Sequence, residues 1–448
     1  MLHSLSLPPD VTLLLRRLHG AGFAAQVVGG CVRDALRGAC PHDWDICTAA
    51  TPDEVTAVLT DTRLVPTGLR HGTVTAVLHG EPYEITTYRS DGAYTDHRRP
   101  DSVIFTRSLE SDLARRDFTI NAMAYSPADG LVDPFGGQRD LAAGVLRSVG
   151  APALRFAEDA LRILRALRFA SVLDFALDSA TAAAIHTHKD LLRHVSVERI
   201  YAELTRLLCG AQADTVLYAY SDVLAVVLPR AAPRTTALAP HSPLCENEVW
   251  RNTLAALKIA APDPVVRWAL LLHEMDDPLL LPAETGGTRH FRAHRHACAL
   301  SASRVMSALH CDGGTLKSVT QLVRWCNLCF EPTAEKAAHW LNLLGETDLR
   351  RLLEVQRCSA LAHIPPLAPE LLEKNAAFSR FLDEALAQHM CLRVQQLAVN
   401  GNDIISVGIP QGPAVGTVLR ALLRQVLAGM LPNEPAALLA CARTFASP

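Results

Sequence analysis

The texture of this chain changes once, at Gly150-Ala151-Pro152, and the change limits the folds open to it. Before that point, helical stretches mix with short runs of β-branched and aromatic residues. After it, nearly every stretch has the periodicity of an amphipathic helix, rich in Leu, Ala and Arg. A mixed sheet-and-helix head followed by a long helical remainder is the α+β architecture this predicts. With 448 residues, the chain is too long for one core.

Local signals fill in the head. Residues 10–20 read as an amphipathic helix after Pro8-Pro9-Asp10. Val27-Val28, Asp43–Cys47, Thr73–Leu78 and Tyr83–Tyr88 read as strands, with His79-Gly80-Glu81-Pro82 as a hairpin turn between the last two. Thr51-Pro52-Asp53-Glu54 opens a helix, with Thr51 as cap and Glu54 reaching back.

The chemistry concentrates after the first strand. Val27-Val28 runs into Gly29-Gly30-Cys31-Val32-Arg33-Asp34, and Asp43-Trp44-Asp45 follows shortly. A tight glycine turn brings backbone N–H groups against phosphate oxygens. An Asp-x-Asp pair on a strand shares one face, because side chains alternate with period two. Two adjacent carboxylates repel unless a cation lies between them, and Mg²⁺ takes oxygen ligands while sharing substrate phosphates. Metal-assisted phosphoryl or nucleotidyl transfer is the chemistry this predicts, with Asp43 and Asp45 as catalytic metal ligands. Glu84 is a candidate third acidic group, or else an exposed strand carboxylate.

Beyond the texture change, Phe156–Phe169 reads as one strong helix. Asp159 and Arg162 lie three apart on it and so are surface neighbours, and a salt bridge on a solvated face is one reading. The other is base selection. An Asp accepts from the exocyclic amine of cytosine or adenine, and an Arg donates to the adjacent ring nitrogen. Guanine and uracil carry the reverse pattern at both positions.

Bulk charge is nearly balanced, with 43 basic and 46 acidic residues, so a nucleic-acid partner must be met by local patches. Twelve Cys without a regular framework, and no apolar leader, point to reduced thiols in a cytoplasmic protein. Cys326-Asn327-Leu328-Cys329 stands alone and reads as buried and structural. No apolar run approaches the ~20 residues that span a bilayer.

These motifs together resemble class II tRNA nucleotidyltransferases, the CCA-adding enzymes, whose relatives include bacterial poly(A) polymerases. Gly29–Asp34 with Asp43-Trp44-Asp45 is similar to their first motif, and Arg115–Ala124 to their third. Asp133-Pro134-Phe135-Gly136-Gly137 follows, and Glu158-Asp159-Ala160-Leu161-Arg162 resembles the fourth. Val195–Leu204 resembles the end of a helical neck. The resemblance implies a nucleotidyltransferase head over 1–150, a base-selecting neck over 151–210, a body over 211–330 and a tRNA-binding tail over 331–448. It implies two Mg²⁺ ions at Asp43 and Asp45. It implies nucleotide contacts at Gly29, Gly30, Arg33, Arg116, Arg165 and Arg168, and base reading by Asp159 and Arg162. The implied substrates are tRNA, CTP and ATP, with neither DNA nor membrane as partner.

Within the family, the polar segment Tyr88–Pro100 resembles the mobile loop of enzymes that add the terminal A. Arg70-His71-Gly72-Thr73-Val74 also resembles the CCA-adding pattern. An A-adding enzyme, a poly(A) polymerase and a silent RNA-binding protein are the alternatives. Leu272–Asp277 lacks the adjacent His-Asp of an appended phosphohydrolase, so no second metal site is expected there. The histidine-rich Arg289–His296 reads as a basic helix facing phosphate or solvent.

Overall fold

The computed structural model describes residues 5–92, 102–228, 248–274, 288–362 and 369–446. The chain divides into two compact units, one over Met1–Pro229 and one over His241–Pro448. Short stretches exchanged between them, within 230–240, lie outside the described residues.

The first unit begins with α1 (Pro9–Gly20), β1 (Ala25–Val28), α2 (Gly30–Leu36), β2 (Ile46–Thr48) and α3 (Pro52–Val58). Strands β3 (Arg63–Gly68), β4 (Thr73–Leu78) and β5 (Glu81–Thr87) follow, then a small ladder of β6 (Arg89–Asp91) with β7 (Val103–Phe105). Next come α4 (Leu109–Ala114), β8 (Ala124–Ser126), β9 (Gly130–Val132), α5 (Gly137–Ala143) and β10 (Val145–Leu146). The helical part consists of α6 (Pro152–Glu158), α7 (Leu161–Leu173), α8 (Ser179–His188), α9 (Val197–Leu208) and two further short helices, with Ala176–Leu177 pairing back onto β10.

Seven strands form the main sheet in the order β3-β4-β5-β2-β1-β8-β9. Only β2 and β5 run parallel, with Ile46 opposite Ile85. The β4–β5 hairpin turns through His79 (φ 50°) and Gly80 (φ 91°), the left-handed pair that matches strand twist. The capping box expected at Thr51 forms, with Glu54 Oε2 accepting the Thr51 N–H at 2.7 Å. One sheet face buries Val27, Ile46, Val74 and Ile85 against Leu14, Leu15 and Leu18 of α1. The other carries Val28, Cys47 and Ala124 against Tyr88, Leu113, Ala122 and Val149.

Two readings need correction. The strand expected over Asp43–Cys47 starts only at Ile46, so its alternation does not place Asp43 and Asp45. The Asp45 carbonyl still accepts the Val28 N–H at 3.0 Å, so the pairing reaches one residue further. The single helix expected over Phe156–Phe169 is broken. Asp159 adopts extended geometry (φ −134°, ψ 103°) between α6 and α7. Its own side chain accepts the Leu161 N–H at 3.1 Å, the local competition by which Asp interrupts helices.

In the described part of the second unit only helices occur, from Glu248–Ile259 to Pro435–Arg443. Of the lone Cys pair, Cys326 is buried and Cys329 exposed, and both are free thiols. His273 is buried, with Nδ1 against the Leu270 carbonyl and Nε2 against Ser359 Oγ, as a satisfied core histidine. Met275–Asp277 and the side chains of residues 288–295 lie outside the described residues, as does most of the loop expected over Tyr88–Pro100. No described helix is long and apolar enough to cross a membrane.

Candidate active site

The site grows from the end of β1. Gly29 caps α2 with φ 83°, ψ −129°, a conformation open in practice to glycine alone. A Cβ there would lie 3.0 Å from Arg116 Nη1, so the bare backbone is what lets that guanidinium approach. Gly30 and Arg33 occupy the first turn of α2.

Across the parallel β2–β5 pair, Ile46 and Ile85 point into the core. Glu84 precedes Ile85 within β5 and so projects to the opposite side, and Asp45, just ahead of β2, lies close enough to feel its charge. Both are exposed, as is Asp43. Atoms crowded around the Asp45 carboxyl raise it above the usual carboxylate range. Arg116 pulls it down, and the charges of Glu84 and Asp43 push it up. Glu84 and Asp43 thus both bring negative charge to Asp45. No group of three His, Cys, Asp or Glu side chains is arranged to enclose a metal among the described residues. The donor set nevertheless fits Mg²⁺, which keeps several waters and takes only one or two carboxylates besides substrate phosphates.

Arg116 is braced by Asp112, whose Oδ2 accepts from its Nη2 at 3.2 Å, while its Nε is buried without a hydrogen-bond partner. Burial opposes its charge, but Asp112 outweighs this and holds the guanidinium above its ordinary range. Asp112 also accepts from Arg115 at 2.7 Å. Burial would raise Asp112, yet Arg115 and Arg116 hold it low.

A second group forms around Phe169 on α7. The guanidiniums of Arg33, Arg165 and Arg168 lie 5.1, 5.4 and 4.1 Å from its ring centre, within cation–π range. Each has an acid partner. Arg33 is bidentate to Asp34 and donates to Asn121 at 2.8 Å, Arg165 donates to Asp117 at 2.8 Å, and Arg168 lies 3.0 Å from Glu203. Burial lowers the Arg168 guanidinium to about 10.

The Asp159–Arg162 salt bridge offered by the helical reading does not form. Arg162 Nη1 donates to Glu158 at 2.6 Å and to the Arg155 carbonyl at 3.1 Å, and its Nη2 to the Arg115 carbonyl at 2.8 Å. Asp159 instead accepts from Arg199 at 3.0 Å. Of the five N–H groups on Arg162, these bonds use three, and each Asp159 oxygen keeps a free lone pair.

The residues singled out from sequence therefore fall into two linked clusters, Gly29, Gly30, Asp43, Asp45, Glu84 and Arg116 in one and Arg33, Asp159, Arg162, Arg165 and Arg168 in the other. Sequence reasoning gave no role to Asp112, Asp117, Asn121, Phe169 or Glu203. Their partners lie up to 88 residues away, as between Arg33 and Asn121, and no local period reports that.

Comparison with known proteins shows the family. The chain matches the poly(A) polymerase head domain over residues 25–147. It matches the probable RNA- and SrmB-binding site of polymerase A over 174–233 and the domain described as tRNA nucleotidyltransferase domain 2 over 300–442. It is 36% identical to a CCA-adding enzyme of Lacticaseibacillus paracasei, over 94% of this chain and 92% of that one. With the CCA-adding enzyme of Geobacillus thermodenitrificans it shares 37% identity, over 94% of this chain and 93% of that one. The crystal structure of the Bacillus stearothermophilus CCA-adding enzyme in complex with CTP superposes with a TM-score of 0.71 at 30% identity, covering 98% of both chains. The chain belongs to the family of CCA-adding enzymes.

Proposed function

We propose that this protein is a template-independent tRNA nucleotidyltransferase that adds C, C and A to tRNA 3′ ends from CTP and ATP, releasing pyrophosphate. The observation that carries the reading is the relation of Asp159 to Arg162. Each is held by other partners and neither is spent on the other. An incoming base can therefore occupy both. Asp159 accepts from cytosine N4 or adenine N6, and Arg162 donates to cytosine N3 or adenine N1. Guanine and uracil set a carbonyl oxygen against the carboxylate and an N–H against the guanidinium, which costs about 1–3 kcal/mol per lost pair.

Around the triphosphate, Gly29 and Gly30 supply close backbone, and Arg33, Arg116, Arg165 and Arg168 supply positive charge. Asp43 and Asp45 would hold Mg²⁺, which when bound activates the primer hydroxyl and stabilises the leaving pyrophosphate. Glu84 adds negative charge beside them. The helices after residue 210 are the assigned tRNA support. The match of residues 25–147 to a poly(A) polymerase head domain makes polyadenylation the second reading.

Incubation with Mg²⁺, tRNA lacking its 3′ end and single labelled nucleotides tests the proposal. Two C additions followed by one A support it. Long A-tails on arbitrary RNA favour polyadenylation, A-only extension of tRNA ending in CC favours a narrower enzyme, and no incorporation refutes transfer.

A further inference from the structure

We infer that Arg199 is a positioning residue for base selection, and that its guanidinium fixes the direction in which the Asp159 carboxylate faces. The inference rests on the reading of Asp159 and Arg162 as the base-reading pair.

Asp159 lies in the junction between α6 and α7 with extended dihedrals; its backbone N–H still donates to the Arg155 carbonyl at 3.3 Å, but that bond leaves the side chain unrestrained. The last torsion of an Asp side chain is broad and two-fold, so the carboxylate turns freely unless both oxygens are engaged. Its Oδ1 accepts the Leu161 N–H at 3.1 Å, which alone leaves Oδ2 free to swing. Arg199 Nη2 holds Oδ2 at 3.0 Å. Arg162 does not do this work, because its described hydrogen bonds go to Glu158 and to two carbonyls.

Arg199 projects from α9, which packs directly on α7, so the carboxylate is fixed at one oxygen by its own junction and at the other by the neighbouring helix. Both side chains are mostly shielded, at 26% and 18% exposure, so water competes weakly for the bond. The other terminal nitrogen of Arg199, Nη1, is buried without a hydrogen-bond partner.

Discrimination against guanine and uracil depends on the carboxylate being unable to turn away from a carbonyl oxygen. Without Arg199 it can turn, and wrong bases gain more than right ones lose. Arg199→Ala in the full chain should lower the ratio of kcat/KM for ATP over GTP, and for CTP over UTP, by roughly tenfold. Arg199→Lys keeps the charge and one donor but loses the planar fork, so it should give a smaller fall. If Arg199→Ala does not fold, judged by circular dichroism, the Lys variant carries the test.

Unchanged ratios, or an equal loss of kcat/KM for all four nucleotides, overturn the inference. The second outcome would make Arg199 a structural strut. Asp159→Ala in the same assay separates the two levels of argument. If it leaves selectivity intact, the base-reading assignment itself fails. If it blurs selectivity while Arg199→Ala does not, only the role given to Arg199 fails.

Discussion

Asp117 offers the sharpest test of how the first unit holds its arginines. Its side chain is only 10% exposed, and it accepts from Arg165 Nε at 2.8 Å, Asn121 Nδ2 at 3.1 Å and its neighbour Phe118 N–H at 2.8 Å. Burial alone would raise its carboxyl, but Arg165 and these hydrogen bonds outweigh burial and bring it from 3.8 down to about 2. At about 1.4 kcal/mol per pH unit, ionised Asp117 contributes roughly 2–3 kcal/mol to folding at neutral pH. The folded-state value is the depressed one. The contribution is therefore complete above about pH 5 and is lost as pH falls through 2, with about half remaining near pH 3.

Asp117→Asn keeps the shape and removes the charge. A global melt mixes two units, so hydrogen exchange at the buried amides of α7 is the better assay. Wild-type protection should exceed that of the variant by roughly fiftyfold at pH 7, with the ratio shrinking toward pH 3. Comparing the two proteins at one pH cancels the intrinsic exchange rate. A ratio near one at pH 7, or a ratio independent of pH, would refute the argument that Arg165 and Asp117 hold each other.

Three further outcomes are expected. Asp43→Ala or Asp45→Ala should lower kcat by about a thousandfold or more while circular dichroism stays unchanged; retained turnover would remove both from metal binding. Glu84→Gln should raise the Mg²⁺ concentration needed for half-maximal rate, and an unaltered requirement would return Glu84 to an exposed strand carboxylate. Gly29→Ala should cost about 1–3 kcal/mol from its φ of 83° and also raise KM for nucleotide by crowding Arg116, whereas a neutral result in both would show that the turn relaxes.

Sequence carried the elements whose signals are local. The β4–β5 hairpin was legible because His79-Gly80 sits between two apolar runs, and α3 because Thr51 and Glu54 are three apart. The break at Asp159 was missed, although an Asp ahead of a helical run is itself a turn signal. Strong helical propensity on both sides masked it. Strands β8 and β9, three residues each, are too short to show alternation and exist because β1 offers β8 an edge and β8 in turn pairs with β9. The partners of the arginines were invisible for a different reason. Asp117–Arg165 and Asp159–Arg199 join residues 48 and 40 apart, and only the packing of α7 against the head and α9 brings them together.

The three guanidiniums around Phe169 are already neutralised by Asp34, Asp117 and Glu203. A triphosphate bound there, as proposed, would not meet bare cations but would compete with resident anions for them. Added salt weakens the old pairings along with the new one, so the two effects partly cancel. If nucleotide binds at this ring as proposed, its affinity should be buffered against ionic strength, more than three arginines in open water would allow.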